Sequence, residues 1–211
     1  MASAAREVLV VPGRLGWDVT PMEEVGPLRF GMLAREVEAA LPGARLLSRF
    51  QADPYFPEIV GTQIGLGSAP PAVYVYFDGT GRLFCVVADA GCGPQVSLHG
   101  NELTGLPPAL IEQHLLDLAR SAGLAISYGP RGNPGINGLG LVLRVQEAAG
   151  QVLTRPVLVG RDWAGRCTDD SEGCIPECEW LGRQWPHPRA PNVLPPAGHT
   201  RNWPRGWGPP F

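Results

Sequence analysis

The chain has 211 residues, 44% of them hydrophobic and 18% charged, so it carries enough apolar surface for a packed core and lies outside the composition of disordered proteins. Its formal net charge of −3 leaves no broad positive field for phosphate backbones, which argues against general nucleic-acid binding. All 17 basic residues are arginine, which excludes mechanisms built on a Schiff-base, P-loop or kinase lysine.

The residues ahead of position 7 lack the basic region, long apolar stretch and small-residue cleavage site of a secretory signal. No run approaches the roughly 18 apolar residues that span a bilayer. The expectation is a cytoplasmic protein with no membrane partner, in which five cysteines are free thiols or metal ligands rather than a disulfide scaffold.

In chain order, residues 7–11 (EVLVV) form the first strand candidate, Pro12-Gly13 breaks it, and residues 27–30 read as a short extended piece. Leu33, Val37, Ala40 and Leu41 then recur at helical spacing, with Arg35, Glu36 and Glu38 opposite, until Pro42-Gly43 stops the helix. Residues 58–63 are a further strand candidate, and the β-branched and aromatic run 73–77 (VYVYF) is a strong one. The turn Asp78-Gly79-Thr80-Gly81 leads into residues 83–87 (LFCVV), which predicts a hairpin with glycine supplying positive φ. Both faces of this hairpin are apolar, so helices should cover one side and something else, such as a partner, the other.

After a strand at 95–98, Pro107-Pro108 opens a second helix with Ile111, Leu115, Leu118 and Ala122 on one face and Gly123 at its end. Strands are expected at 124–128, 139–145 and 152–159. The glycine-rich residues 129–138 lack the lysine and following helix of a P-loop and read as a connection between strands. Each helix follows a glycine and leads into sheet, a weakly repetitive order without regular βαβ alternation. The fold class expected is α+β, a mainly antiparallel sheet with two short helices packed on one face. The domain spans 1–165, and 166–211 is a Cys/Trp/Pro-rich, partly disordered appendage, because so many prolines leave few regular elements.

Three chemistries are open to this sequence. Cys167, Cys174 and Cys178 with His187 downstream have the composition of a structural zinc site, although no Cys-x2-Cys knuckle is present and free thiols are the alternative. A catalytic set of Cys85, His114 and Asp117 requires a fold that brings the three within reach, and no Gly-x-Ser-x-Gly, His-Glu-x-x-His or paired-carboxylate pattern supports an enzyme. The tail interleaves Trp180, Trp185, Trp203 and Trp207 with arginines and no acidic residue after Trp180, which suits a docking segment. Tyr74 and Tyr76 share one face of their strand and would join these tryptophans as contacts to a protein partner if that face is open.

Residues 25–32 (VGPLRFGM) with Glu36-Val37 and Leu41-Pro42-Gly43, then 73–78 and 96–100 (VSLHG), resemble a widespread set of small uncharacterised bacterial proteins. Many of those are suspected immunity factors of polymorphic toxin systems, and a short helix leading into antiparallel sheet is also similar to β-lactamase-inhibitor-like folds. The resemblance covers about residues 7–160 and none of the tail. Its motifs specify packing more than chemistry; the two-sided apolar hairpin, the aromatic tail and the absence of a catalytic pattern lead to the expectation of a non-catalytic, immunity-like protein that neutralises a protein partner, with no cofactor. The zinc-stabilised tail and a small hydrolase using cysteine or carboxylate with histidine stand as alternatives.

Overall fold

Two helices are written into the sequence by their ends. In the computed structural model, which describes residues 13–67, 70–129, 132–165, 167, 175–180 and 185–186, α1 spans Ala34–Ala40 and α2 spans Pro108–Ala122. The Glu36 carboxylate accepts the Leu33 backbone N–H at 2.7 Å, satisfying a donor at the start of α1. Pro108 opens α2 where a missing N–H is harmless, and Gly123, at φ 66°, ends it in the left-handed conformation that spares glycine a Cβ clash. Ile111, Leu115 and Ala119 form the buried stripe of α2, and burying each of the two larger side chains contributes roughly 1.5–3 kcal/mol.

The strands are β1 Gly16–Thr20, β2 Glu24–Val25, β3 Leu28–Arg29, β4 Ala44–Gln51, β5 Val60–Leu66, β6 Pro71–Phe77 and β7 Leu83–Ala88. They continue as β8 Gln95–Leu98, β9 Asn101–Glu102, β10 Ser127–Tyr128, β11 Pro134–Ile136, β12 Leu141–Ala148 and β13 Gln151–Val159. Two four-residue helices follow, α3 Arg161–Ala164 and α4 Glu177–Trp180. No helix of the described residues is long and apolar enough to cross a membrane.

The main sheet has eight strands in the order β10-β11-β12-β13-β7-β6-β5-β4, every neighbouring pair antiparallel. It is two four-stranded meanders, β4–β7 and β10–β13, each preceded by a helix and joined where β7 pairs with β13. The fold is therefore α+β with a mainly antiparallel sheet. A smaller sheet, β3-β2-β1-β8-β9, contains one parallel pair, β1 with β8, and packs into the main core through Trp17, Val25, Leu28, Val96 and Leu98. The outer strand β4 is blunted by a register shift around Leu47 and by the exposed Arg45 and Arg49, devices that keep an edge from pairing with another chain.

Alternation along the strands separates two cores. Val73, Val75, Phe77, Val86, Leu141, Leu143 and Leu158 point to the face covered by α1 and α2. Tyr74, Tyr76, Cys85, Val87, Val142, Val157 and Val159 point the other way, where Ala52, Ile59, Trp163, Ile175 and Cys178 cover them. Phe84 also joins this second face because it is the extra residue of a bulge between Tyr76–Cys85 and Phe77–Leu83, and its ring stacks on Trp163 with centroids 4.1 Å apart. The two-sided apolar hairpin is thus satisfied within the chain. The described parts of the tail are integrated rather than appended: Cys167, Ile175 and Cys178 are fully buried, and Trp185 sits in the larger core.

Several strands differ from expectation. β1 and β4 had no counterpart in the sequence reading, β11 lies inside the glycine-rich connection, and of residues 124–128 only Ser127–Tyr128 pairs. The strand candidate at 7–11 lies outside the described residues.

Candidate functional site

β12 and β13 place Arg144 directly opposite Arg155, both on the second face, two positions along from the paired Val142 and Val157. Both arginines are buried, so opposed like charges at this register require carboxylates from elsewhere. Glu179 of α4 supplies one. The Arg155 guanidinium donates through Nε to Oε2 at 3.2 Å and through Nη2 to Oε1 at 2.8 Å. Its Nη1 donates to Gln146 Oε1 at 3.1 Å and lies 3.8 Å from Asp89 Oδ2, and Gln146 Nε2 donates to that same Asp89 oxygen at 2.8 Å. The guanidinium also stands 4.2 Å from the centre of the Tyr74 ring, a cation–π contact. The Tyr76 hydroxyl donates to Glu179 Oε1, and the Cys178 thiol lies 3.6 Å from that hydroxyl.

The electrostatics follow from this packing. Burial alone would push the Glu179 carboxyl up, but the Arg155 charge and its hydrogen bonds outweigh that and hold it below the usual glutamate value. Asp89 is likewise held down, against burial, by hydrogen bonds from Gln146 and Cys92. Burial raises the Tyr76 phenol and the Cys178 thiol well above their ordinary values, with Cys178 and Glu179 adding to the Tyr76 shift and Glu179 to that of Cys178. Burial and the Asp89 carboxylate push the Cys92 thiol up to about 12. Neither Cys92 nor Cys178 is a thiolate nucleophile at neutral pH.

The residues picked from the sequence fall into three groups. Tyr74 and Tyr76 do share a face of β6, but they are 4% and 0% exposed beneath residues 175–180 and offer no surface to a partner. The cause is the tail itself, whose Ile175 and Cys178 supply an apolar cover while Glu179 neutralises Arg155. Trp185 is buried, and of Trp180 only the backbone is described. Trp203, Trp207, Cys174 and His187 lie outside the described residues. Cys167 and Cys178 are both buried, the first 3.2 Å from Asn137 Oδ1 and the second beside Tyr76. Among the described residues no three of His, Cys, Asp or Glu are grouped to hold a metal ion. Cys85 and His114 are not brought together: Cys85 faces the second core, whereas His114 is exposed on α2, which packs on the first.

Sequence reasoning missed the ion cluster and one loop. The cluster's signal was an arginine inside each of two apolar strands, LVLRV and TRPVLV, facing a tail that carries Glu177 and Glu179. The loop joins β4 to β5. Asp53, itself 2% exposed, accepts the backbone N–H groups of Tyr55 at 2.8 Å and Phe56 at 3.2 Å through Oδ1. Its Oδ2 accepts the N–H of Glu177 at 3.2 Å. Ala52 N bonds to the Ile59 carbonyl at 3.0 Å and Ile59 N to that of Phe56 at 2.9 Å, closing the loop on itself. Tyr55 and Phe56 stand out from it, 45% and 43% exposed, between Pro54 and Pro57.

A cleft of about 470 Å³ lies at the opposite end of the sheet, with Arg14 and Cys92 as its polar side chains. Arg14 Nη2 is committed to the carbonyls of Ala90 at 2.8 Å and Gly91 at 3.0 Å, so this cation fastens a turn.

No protein-family model, no curated protein and no solved structure matches this chain.

Proposed function

We propose that the chain is a non-catalytic protein-binding protein, immunity-like in that it acts by occupying a partner, and that its contact surface centres on the Tyr55–Phe56 loop. The observation that carries this reading is the loop's preorganisation. Two adjacent aromatic side chains are held outward by a buried Asp53 and flanked by prolines, so ordering them on a partner costs little further entropy. Aromatic residues are the side chains most enriched at protein contacts, and loops carried on a rigid sheet are where such contacts concentrate. The ion cluster supports the reading from the other side, because its acids, thiols and guanidinium are spent on one another.

The test is capture from an extract of the native host, using the full chain and a Tyr55→Ser/Phe56→Ser variant. Both side chains are exposed, so the variant keeps its fold. A protein retained in stoichiometric amount by the first and lost by the second is the expected result. Retention of nothing by either overturns the reading, and equal retention by both removes the loop from it.

A further inference from the structure

We propose that residues 175–180 are a displaceable latch, an intramolecular ligand seated on the Tyr74/Tyr76/Arg144/Arg155 face, which a carboxylate-bearing segment of a partner protein replaces in trans. The identity of the replacing segment rests on the protein-binding reading above. The opening of the latch does not.

Three features of the face carry the inference. First, its strands do not depend on the latch for backbone bonding. β6, β7, β12 and β13 pair continuously with one another and are covered from behind by α1 and α2. The described latch is tied by two bonds from its own backbone, Cys178 N to the Ala52 carbonyl at 3.2 Å and Glu177 N to Asp53 Oδ2 at 3.2 Å. Among the described contacts, its side chains supply the rest: Ile175 and Cys178 against the apolar cluster, and Glu179 in the Arg155 fork and on the Tyr76 hydroxyl. Contact by side chains over six residues can be exchanged as a unit, whereas a strand cannot leave without breaking its ladder.

Second, the face has the composition of a recognition surface rather than of an ordinary sheet core. Two tyrosines and two arginines converge on it, and these are among the residue types that dominate binding energy at protein interfaces.

Third, the chemistry selects the replacement. Lifting the latch strips Arg155 of its two-pronged partner and leaves it only Gln146 and Asp89, the latter 3.8 Å away, so the vacated face favours a segment that returns a carboxylate to the fork and an apolar residue to the Ile175 position. Asp53 connects this latch to the aromatic loop, because one of its oxygens holds Tyr55 and Phe56 while the other holds Glu177. A partner that grips the loop therefore pulls on the carboxylate that fastens the latch.

The experiment is native-state hydrogen exchange on the full wild-type chain. The amides of Glu177, Cys178 and Glu179 are expected to exchange at least tenfold faster than those of Tyr74 and Tyr76. Exchange of both sets at one common rate overturns the proposal, since the latch would then leave only on global unfolding. A second arm adds a synthetic hexapeptide copying residues 175–180, under reducing conditions, to the wild-type and Glu179→Gln chains. The weakened chain is expected to bind it at least tenfold tighter than wild type, and to ignore the same peptide with glutamine at the position of Glu179. Equal binding of both peptides, or of neither by a folded Glu179→Gln chain, overturns the carboxylate specificity. A latch that opens although capture finds no partner would separate this inference from the functional reading, as would a partner found with a latch that stays shut.

Discussion

Arg155 and Glu179 meet as a two-pronged ion pair, Nε to Oε2 at 3.2 Å and Nη2 to Oε1 at 2.8 Å, with both side chains withdrawn from water. One comes from the middle of a sheet strand and the other from a single helical turn in a proline-rich tail. Pairing is what permits either charge to be there.

Removing one member alone should therefore be severe. We expect Arg155→Ala to destabilise the protein by about 3–5 kcal/mol, because Glu179 and Asp89 are left buried with less positive charge. The double variant Arg155→Met/Glu179→Leu should recover part of that loss, since the apolar pair needs no charge partner, while Asp89 still lacks the Arg155 charge and the Tyr76 hydroxyl its acceptor. Urea unfolding followed by circular dichroism checks both. A double variant no better than the single one would mean that the wider cluster, not the pair, sets the cost.

The same pair gives stability a pH dependence of definite sign. A carboxyl whose folded pKa lies below its unfolded value contributes stability above the unfolded value and loses it as pH falls through the folded one. Glu179 and Asp89 are both shifted this way from ordinary values of 4.5 and 3.8. The urea midpoint should be insensitive to these two groups at neutral pH and should fall as the solution is acidified below 4.5. Glu179→Gln should flatten that decline. An unchanged acid slope in the variant would place the proton uptake elsewhere.

Cys92 offers a chemical check on the turn that follows β7. Its thiol lies 3.2 Å from both Asp89 Oδ1 and the Pro71 carbonyl and is pushed up to about 12. At pH 8 the thiolate fraction should be roughly a thousandfold below that of an unperturbed cysteine. Alkylation by iodoacetamide, located by peptide mapping, should be slowed accordingly. Asp89→Asn should speed it, since burial and the neighbouring carboxylate are the causes. Labelling of Cys92 at the rate of a free thiol would contradict the described turn.

Gly93 closes that turn where a side chain has no room. A Cβ there would stand 2.5 Å from the backbone N and O of Asp89 and 2.8 Å from the Ala72 carbonyl, all of them main-chain atoms that cannot swing aside. Gly93→Ala should cost about 1–3 kcal/mol in thermal or urea unfolding. A neutral effect would show that the turn relaxes.

Legibility of the fold tracked how strongly each element announces itself locally. α2 was readable because a proline pair, a stripe of Ile111 and Leu115 and a terminal glycine agree. The β6–β7 hairpin was readable from its β-branched and aromatic strands around Asp78 and Gly81. β4 was not, because an outer strand keeps many residues exposed and the shift at Leu47 interrupts its alternation. β11 hid in a run of glycine and proline whose pairing is decided by β10 and β12. The ion cluster needed the register of β12 on β13 to show that two arginines oppose each other, and no local pattern specifies that. Tyr74 and Tyr76 were correctly put on one face, but whether the face is open depends on a tail segment about a hundred residues away.

The seam between the two meanders also sets the order in which the molecule can assemble. It has three rungs, Val87, Val86 and Cys85 against Val157, Leu158 and Val159. Closing it joins positions about seventy residues apart, whereas each meander closes through neighbouring hairpins, so the loop-entropy cost falls on this one step. Refolding should show two locally formed half-sheets that dock slowly. Until they do, β7 and β13 are bare apolar edges, and the interval before docking is when this chain is most exposed to aggregation. Variants that weaken Val86 or Leu158 should lengthen that interval and lower refolding yield at high protein concentration, even where the final stability is little changed.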